Sequence, residues 1–281
     1  MPEGHTLHAL ARDLDRAFAG TRPRVSSPQG RFEDGAAVLD GRRVVRGIAW
    51  GKHLLVEFEG EAWLNVHLGL IGTFSVTRFA RPLPPEAWDD VPRTGQVRLR
   101  MVNADHVADL RGPTLCAVIT PDEAAAIMDR LGPDPLRADA DPDAAWARIH
   151  RSRRALAELL MDQGIVAGIG NVYRSEVLFR HRLSPFTPGL EVRRRSWQAI
   201  WDDLVELMPL GVASGQILTL PDQVEAARDE LAATGSIAPR EREYAVYRRT
   251  GEPCLVCGST VRTQVVAGRN LFWCGRCQRR K

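Results

Sequence analysis

The spacing of apolar residues divides the chain into a leading helix, a series of short strands and a helical second half. Between residues 6 and 18 apolar side chains recur every three or four positions, which predicts an amphipathic helix directly after the N-terminal residues. From about residue 43 to 119 they come in short runs broken by Gly and Pro, a pattern typical of strands. We expect these strands to form a β-sandwich or flattened barrel.

The second half of the chain is predicted to be helical. Residues 132–143 are rich in Pro and Asp and have no apolar periodicity, which indicates a linker. Helical patterns follow over about 143–162, 171–181, 192–208 and 221–232. We predict an α+β fold, with an N-terminal domain over 1–131, a linker over 132–143, a helical domain over 144–250 and a small unit over 251–281.

The cysteines predict a metal in that last unit. Four of the five have the spacing of a tetrahedral thiolate zinc site, Cys254-x2-Cys257-x16-Cys274-x2-Cys277. Four protein ligands leave no open coordination position, so we expect one structural Zn²⁺ that holds a β-hairpin together. Such a zinc ribbon is too short to bury a stable core of its own without a bound metal or another cross-link.

Composition argues against a membrane protein. With 281 residues, 44% apolar and 26% charged, the chain can bury a sizeable core. No apolar stretch is long enough to cross a bilayer, and the N-terminus lacks the apolar run of a signal peptide. Paired cysteines of this kind also suit a reducing compartment. We expect a cytoplasmic monomer that does not interact with membranes.

The basic residues are unevenly distributed and indicate a polyanion as partner. Residues 240–281 hold ten Lys or Arg against three acids, a net +7, which leaves −4 for the rest of the chain. Two further clusters precede this tail, Arg151 with Arg153 and Arg154, and Arg193–Arg195. Taken alone, Arg193–Arg195 is best interpreted as a solvated helix face.

Two short segments offer contacts to phosphate. Arg269 lies within the loop of the predicted ribbon, where a single Arg suits phosphate or minor-groove contact. Gly164, Gly168 and Gly170 permit a backbone turn that aims amides at a phosphate, with Asn171 capping the next helix and bonding the same phosphate. A plain turn between two helices is the alternative interpretation of the glycines.

The N-terminus carries a candidate nucleophile. Removal of Met1 exposes the secondary amine of Pro2, which has a far lower pKa than lysine and condenses with an aldehyde-like sugar carbon. Glu3 beside it is suited to protonate the sugar ring oxygen. Pro at position 2 is also common without any function.

Lysine usage points to Lys52. The chain has 36 Arg but only two Lys, Lys52 and the C-terminal Lys281. Lys52 lies in a turn between two predicted strands. A compact point charge is needed there, and a planar guanidinium does not replace it. Chance retention of this lysine is the alternative.

Together these motifs resemble the Fpg/Nei family of DNA glycosylases, and the resemblance runs from Pro2 to Cys277. Five motifs occur in family order: Met-Pro-Glu-Gly at the start, Gly51-Lys52, His67-Leu-Gly-Leu-x-Gly72, Gly168-Ile-Gly-Asn-Val-Tyr-x-Ser-Glu176 and Gly251-Glu-Pro-Cys254. The opening residues are most similar to actinobacterial endonuclease VIII-like enzymes. The resemblance implies a helix-two-turn-helix domain followed by a zinc ribbon.

The resemblance also implies roles for individual residues. Pro2 becomes the Schiff-base nucleophile and Glu3 the proton donor in a bifunctional glycosylase and abasic-site lyase that cleaves damaged DNA by β,δ-elimination. Leu70 becomes the apolar wedge that fills the space of the extruded base. The residues expected around the phosphates of the flipped nucleotide are Lys52, His67, Asn171 and Arg269, of which Lys52 and Arg269 are also expected to be catalytic.

Two departures from the family pattern affect the substrate. Fpg-type members complete the wedge with an Arg-Phe pair, whereas here only Arg111 offers a match. The segment from Gly211 to Thr219 and the loop to Arg240 do not resemble the purine-capping loop of 8-oxoguanine enzymes. Oxidised pyrimidines are therefore favoured over oxidised purines.

Two other classes of protein stay open. The first is a non-catalytic zinc-ribbon protein that binds nucleic acid, in which Pro2, Glu3 and Lys52 are incidental. The second is a metal-dependent nuclease, although no cluster of Asp, Glu and His has ligand spacing outside the ribbon.

Overall fold

The chain folds into two compact units. The computed structural model describes residues 2–279, so Met1, Arg280 and Lys281 lie outside the described residues. The first unit spans Met1–Arg130 and the second Leu131–Lys281. Across residues 2–279 no helix is both long and apolar enough to cross a membrane.

The first unit is the predicted β-sandwich behind a leading helix. One antiparallel sheet has the order β1 (Arg24–Ser26), β6 (Leu99–Val102), β7 (His106–Arg111), β5 (Thr73–Arg78). The other has the order β2 (Val44–Trp50), β3 (His53–Phe58), β4 (Ala62–His67), β8 (Leu115–Ile119). Side chains of both sheets share one core, for example Leu64 from β4 and Leu110 from β7.

Helix α1 (Gly4–Phe18) packs on β2 and begins two residues before the predicted helix. Its buried face includes Leu7 and Leu14. The carboxylate of Asp15 accepts a hydrogen bond of 2.9 Å from the amide of Gly47. A side chain at Gly47 would begin 2.9 Å from the carbonyl oxygen of Ala11, so glycine permits this close approach.

The same contacts fix the direction of α1. Residues just after the helix bond to the start of β2, since the amide of Gly20 donates to the carbonyl of Val44 at 2.8 Å. The middle of α1 contacts the middle of β2, so the two run antiparallel. The N-terminus of α1 and the turn between β2 and β3 therefore lie at one end of this unit.

Two short helices were not predicted from the apolar pattern. Helix α2 (Glu33–Leu39) buries only Ala36 and Leu39, and helix α3 (Pro121–Arg130) buries only Ala124. With so few buried positions, neither segment develops the apolar periodicity on which a prediction depends.

The second unit contains the helices α4 (Pro142–Ile149), α5 (Leu156–Leu159), α6 (Asn171–Arg180), α7 (Arg194–Ser214) and α8 (Pro221–Thr234). The predicted continuous helix over 143–162 is wrong, because the chain leaves the helix after Ile149 and Ala155 pairs with Pro188 in an isolated bridge. Helix α7 continues beyond the predicted end through Pro209 and stops at Gly215, which has φ 69°. Pro209 removes a hydrogen bond to the carbonyl of Val205, whose side chain is exposed to solvent.

The C-terminal hairpin shares a core with these helices. Strands β9 (Val261–Val266) and β10 (Arg269–Cys274) pair antiparallel. Leu271 and Phe272 belong to the same buried cluster as Leu156 and Tyr173. The ribbon is therefore held by packing against the helical core as well as by its own cysteines.

Candidate active site and metal centre

The candidate nucleophile and acid lie at the start of α1. Pro2 is half-buried, and Glu3 precedes the first helical residue in an extended conformation with φ −123° and ψ −177°. The carbonyl of Glu3 accepts a hydrogen bond from the amide of Thr6 at 2.9 Å. The Glu3 side chain is 0% exposed. A carboxyl group is thus buried directly beside the residue whose amine is the expected nucleophile.

Lys52 lies in the turn between β2 and β3, at the same end of the first unit as Pro2 and Glu3. The turn depends on Gly51, whose φ of 59° is in the left-handed region. Lys52 is half-buried, and His53 follows it as the first residue of β3. The nitrogen Nδ1 of His53 is 3.1 Å from Oδ1 of the buried Asn65, which fixes this ring at the end of the strand.

His67 reaches the same end through the register of β3 and β4. Leu54 pairs with Val66, so the rings of His53 and His67 meet with centroids 5.4 Å apart. Burial lowers the pKa of His67, and the nearby charges of His53 and Lys52 lower it further.

The hydrogen bonding of His67 assigns its tautomer. Its Nδ1 accepts a hydrogen bond of 3.1 Å from the amide of Gly69. A neutral ring with Nδ1 as acceptor carries its proton on Nε2. His67 is therefore a neutral hydrogen-bond donor at pH 7.

The turn after β4 presents two apolar side chains. Leu68 and Gly72 close the turn through a backbone hydrogen bond of 3.1 Å, and Leu70 is 50% exposed. Its neighbour Ile71 is 84% exposed. Leu70 was predicted from the sequence and Ile71 was not, although two adjacent apolar residues flanked by glycines were a signal for both.

Arg111 is held by its own sheet at the end of β7. Its Nη2 donates to Asp109 at 2.8 Å and its Nε to the carbonyl of Thr94 at 2.8 Å. Asp109 is also bound by the buried Arg100, through Nε at 2.7 Å and Nη2 at 2.8 Å. The expected contribution of Arg111 to the wedge stays a prediction.

In the second unit, Asn171 is the first residue of α6. The residue that caps this helix is Gly170, so the predicted capping by Asn171 is wrong. The side-chain amide of Asn171 instead donates to the carbonyl of Asn270 at 2.8 Å. Because Asn270 belongs to the ribbon hairpin, this bond ties the start of α6 to the hairpin.

Arg269 occupies the position next to that bond. It is the first residue of β10 and pairs with Val266 across a two-residue turn. Ala267 and Gly268 have φ of 52° and 70°, which is the geometry of a type I′ hairpin. The structure therefore brings Asn171 and Arg269 together within the second unit through Asn270.

Two buried charged residues of α6 that the sequence analysis gave no role support this arrangement. Arg174 is 0% exposed and donates to Oδ1 of Asn171, to the carbonyl of Ala157 at 3.3 Å and to that of Val266 at 3.5 Å. One guanidinium thus orients Asn171 and holds the last residue of β9. The available signal in the sequence was the presence of Arg174 and Glu176 among the apolar residues of the helix predicted over 171–181.

Glu176 fixes the segment that leads into the ribbon. Its carboxylate is 0% exposed and accepts three backbone hydrogen bonds of 2.9 Å, from Ala245, Val246 and Tyr247. The hydroxyl of Thr219 donates to the same carboxylate at 2.9 Å. These four donors compensate the burial of the charge.

The four ribbon cysteines converge as the sequence predicts. The sulfurs of Cys254 and Cys277 are 3.9 Å apart, those of Cys257 and Cys274 are 3.5 Å apart, and all four lie within 4.8 Å of one another. A tetrahedron with Zn–S bonds of about 2.3 Å separates its sulfurs by about 3.8 Å. The residues fit one structural Zn²⁺. Among residues 2–279 they are the one cluster of three or more His, Cys, Asp or Glu with ligand geometry.

The fifth cysteine is unrelated to this centre. Cys116 is half-buried on β8. Burial raises its pKa to about 12, so it stays a protonated thiol at pH 7.

Three family models match successive parts of the chain. Residues 1–114 match the formamidopyrimidine-DNA glycosylase N-terminal domain and residues 131–221 the formamidopyrimidine-DNA glycosylase H2TH domain. Residues 251–280 match the zinc finger found in FPG and IleRS. The chain belongs to the formamidopyrimidine-DNA glycosylase family, which confirms the resemblance inferred from its motifs.

Curated relatives are similar over the full length. Endonuclease 8 1 of Mycobacterium tuberculosis is 51% identical over 278 residues, which is 99% of this chain and 100% of the relative. The formamidopyrimidine-DNA glycosylase of Thermus thermophilus is 35% identical over 99% of this chain and 98% of its own.

Solved structures share the fold. A structure of MutM in complex with DNA containing carbocyclic 8-oxo-G has a TM-score of 0.78 at 23% identity, covering 99% of this chain and 100% of that one. Lactococcus lactis Fpg in complex with DNA containing an oxidised pyrimidine has a TM-score of 0.77 at 23% identity, with the same coverage.

Proposed function

We propose that this chain is a base-excision-repair enzyme that removes oxidised bases from DNA and cleaves the resulting abasic site. The observation that supports this proposal is that Pro2, the buried Glu3, Lys52 and His67 all lie at one end of the β-sandwich. Full-length identity of 51% to Endonuclease 8 1 supports the same activity.

The reaction begins at the amine of Pro2. Once Met1 is removed, this secondary amine attacks C1′ of the damaged nucleotide, the N-glycosidic bond breaks and the base leaves with a proton. Glu3 protonates the sugar ring oxygen, so the ring opens and an imine forms. Loss of a proton from C2′ then expels the 3′ phosphate, and a second elimination expels the 5′ phosphate.

Each unit contributes phosphate contacts. In the first unit the ammonium of Lys52 and the Nε2 proton of the neutral His67 bind the backbone of the damaged strand. In the second unit Asn171 and Arg269 bind it, positioned by Asn270 and Arg174. The nucleotide must leave the duplex for its sugar to reach the amine.

The exposed turn after β4 fills the space that the base vacates. Leu70 and Ile71 present exposed apolar side chains. Contact with the neighbouring bases is favourable because it removes this apolar surface from water. Arg111 completes this wedge only by releasing its bonds to Asp109 and Thr94.

Oxidised pyrimidines are the favoured substrates. The segment from Gly211 to Thr219 and the loop to Arg240 do not resemble a purine-capping loop, and the connection between α7 and α8 within this region is short. It is also tied to α6, because Thr219 donates to Glu176 and its carbonyl accepts from Arg180 at 2.6 Å. Because this segment is held against α6, we expect that it does not fold over the damaged base as a covering loop.

The zinc ion positions the ribbon. Cys254, Cys257, Cys274 and Cys277 hold it, and it stabilises the hairpin that carries Arg269. We further propose that the enzyme acts as a monomer on damaged DNA in the cytoplasm, with domains over 1–131, 144–250 and 251–281 and a linker over 132–143.

Borohydride reduction in the presence of abasic-site DNA tests the activity. An imine between protein and sugar is reduced to a stable covalent adduct, whereas a protein that only binds nucleic acid forms none. A homogeneous preparation that binds the abasic duplex but yields no adduct would favour the non-catalytic zinc-ribbon protein.

A further inference from the structure

His53 lies between two groups of the candidate site, although the proposed reaction gives it no role. It is the first residue of β3 and pairs with Trp50 across the two-residue turn of Gly51 and Lys52. On the other side of β3, the register with β4 places His67 opposite His53. The centroids of the two rings are 5.4 Å apart, with an interplanar angle of 70°. His53 is therefore next to Lys52 in the chain and in contact with His67 in space.

The ring of His53 is held by a buried acceptor. Asn65 precedes His67 by two residues on β4, so the two side chains lie on the same face of the sheet. Asn65 is 2% exposed, and its Oδ1 is 3.1 Å from Nδ1 of His53. An amide oxygen only accepts, so Nδ1 of His53 carries the proton and donates it. Because a buried acceptor is costly to leave without a donor, this bond holds the His53 ring in place.

The orientation of the His67 ring decides where its donor points. A neutral His67 donates through Nε2 alone, since its Nδ1 accepts from the amide of Gly69 at 3.1 Å. A single hydrogen bond still allows the ring to rotate about the line between donor and acceptor. The edge-to-face contact with His53 restricts this rotation, because aromatic pairs have a preferred geometry. The Gly69 amide and the His53 ring together fix the plane of His67.

We propose that His53 is a positioning residue that aligns the Nε2 proton of His67 with a phosphate of the damaged strand. The inference rests on the proposed function, because His67 meets such a phosphate only if the chain acts on DNA. In this role His53 acts through His67 and needs no contact of its own with the DNA. The alternative is a purely structural role, in which loss of His53 lowers the melting temperature without changing the geometry of His67.

Nuclear magnetic resonance of the protein without DNA tests the geometry. In His53→Ala the ring of His67 loses its neighbour, so hydrogen exchange of the Gly69 amide should become about tenfold faster. The ring nitrogen shifts of His67 should change from those of one Nε2–H tautomer to those of a mixture. The double variant His53→Phe with Asn65→Leu keeps a ring against His67 and leaves no buried acceptor unpaired. It should recover most of the wild-type protection of Gly69.

A double-mutant cycle on base excision tests whether the effect passes through His67. His53→Ala alone should reduce single-turnover excision about tenfold, because a misdirected donor holds the phosphate less well. In a His67→Ala background the same change should reduce excision less than about twofold, since the residue through which His53 acts is already absent. The variant with His53→Phe and Asn65→Leu should excise at a rate close to that of the wild type.

His106→Ala is the matched control. His106 also belongs to the first unit, but its ring contacts that of Phe18 at the far end of α1, with centroids 6.2 Å apart. This variant should change neither Gly69 exchange nor excision.

Two results would overturn the proposal in favour of a structural role. One is unchanged Gly69 exchange with a single His67 tautomer in His53→Ala. The other is a full tenfold loss when His53→Ala is added to His67→Ala. Gly69 exchange is measured without DNA, so it tests the proposal whether or not the wild type is active. Absence of a borohydride adduct with the wild type would refute the proposed function instead.

Discussion

The two units position their candidate residues in different ways. In the first unit, Pro2, Lys52 and His67 lie at the same end, because strand register and the direction of α1 bring three separate chain segments to that end of the sandwich. In the second unit, Asn171 and Arg269 depend on buried charges and a metal, through Arg174, Glu176 and four cysteines. Substitutions in the first unit should therefore change reaction rates, and those in the second should change stability and affinity.

Loss of zinc should have the largest effect. Cys274→Ser removes one of four ligands, and structural zinc contributes about 10–16 kcal/mol in peptides that fold around it. We expect no bound zinc by metal analysis, an early unfolding transition and strongly weakened DNA binding. Cys116→Ser is the control, because that thiol is not one of the four clustered cysteines and its replacement should keep the full zinc content. Normal DNA cleavage by the metal-free variant would contradict the role of the ribbon.

Replacing the buried acid of the first unit should affect rate without affecting stability. Positioned proton donors contribute about 10²–10⁴-fold, so Glu3→Gln should reduce single-turnover base excision by a factor in that range. Its melting temperature should stay close to that of the wild type, because the amide has the same shape. Glu33→Gln on the exposed start of α2 should change neither quantity. A large fall in melting temperature with a proportionate loss of all activities would assign Glu3 a structural role.

Removing the buried acid of the second unit should do the reverse. Glu176→Ala leaves three backbone amides and the Thr219 hydroxyl without their acceptor, at a cost of about 3 kcal/mol or more. For a unit of this size that lowers the melting temperature by about 6–12 °C. Calorimetry measures the shift, and Glu225→Ala on the exposed face of α8 serves as control. Unchanged stability with impaired chemistry would remove the contrast between the units.

The smallest of these effects concerns Lys52. Lys52→Arg keeps the charge but replaces a compact ammonium with a planar guanidinium, so base excision should fall about tenfold while lyase activity on a preformed abasic site falls less. The same change at the other lysine, Lys281→Arg, should leave both rates unaltered. Wild-type excision by Lys52→Arg would indicate that this lysine was retained by chance.

The features predicted from the sequence are those set by local patterns. Alternating and periodic apolar residues gave the sandwich and most helices, and cysteine spacing predicted the metal centre. The chemistry of the Pro2 amine and the rarity of lysine predicted two candidate residues, Pro2 and Lys52, that lie at one end of the first unit. None of these inferences required knowledge of distant contacts.

The features that were missed depend on contacts between distant segments. The helix predicted over 143–162 breaks because Ala155 pairs with Pro188, which no local pattern reveals. Asn171 does not cap its helix, because it is already the first helical residue and its Oδ1 accepts from Arg174. Its side-chain amide donates to the carbonyl of Asn270, 99 residues away. For the same reason the hydrogen bond from Leu190 to Ser152, which joins two distant segments of the chain, was not predicted.

The identity of the nucleophile is the central claim, and Met1 provides the most direct test. While Met1 is attached, the nitrogen of Pro2 is a tertiary amide without a basic lone pair, so it cannot attack C1′. Mass spectrometry first identifies which preparations retain Met1 and which have lost it. Each preparation is then trapped on abasic-site DNA with borohydride, and the modified peptide is mapped. We predict an adduct only in the processed form, on the peptide that begins with Pro2. Equal trapping by a homogeneous form that retains Met1, with the adduct on Lys52, would contradict the account.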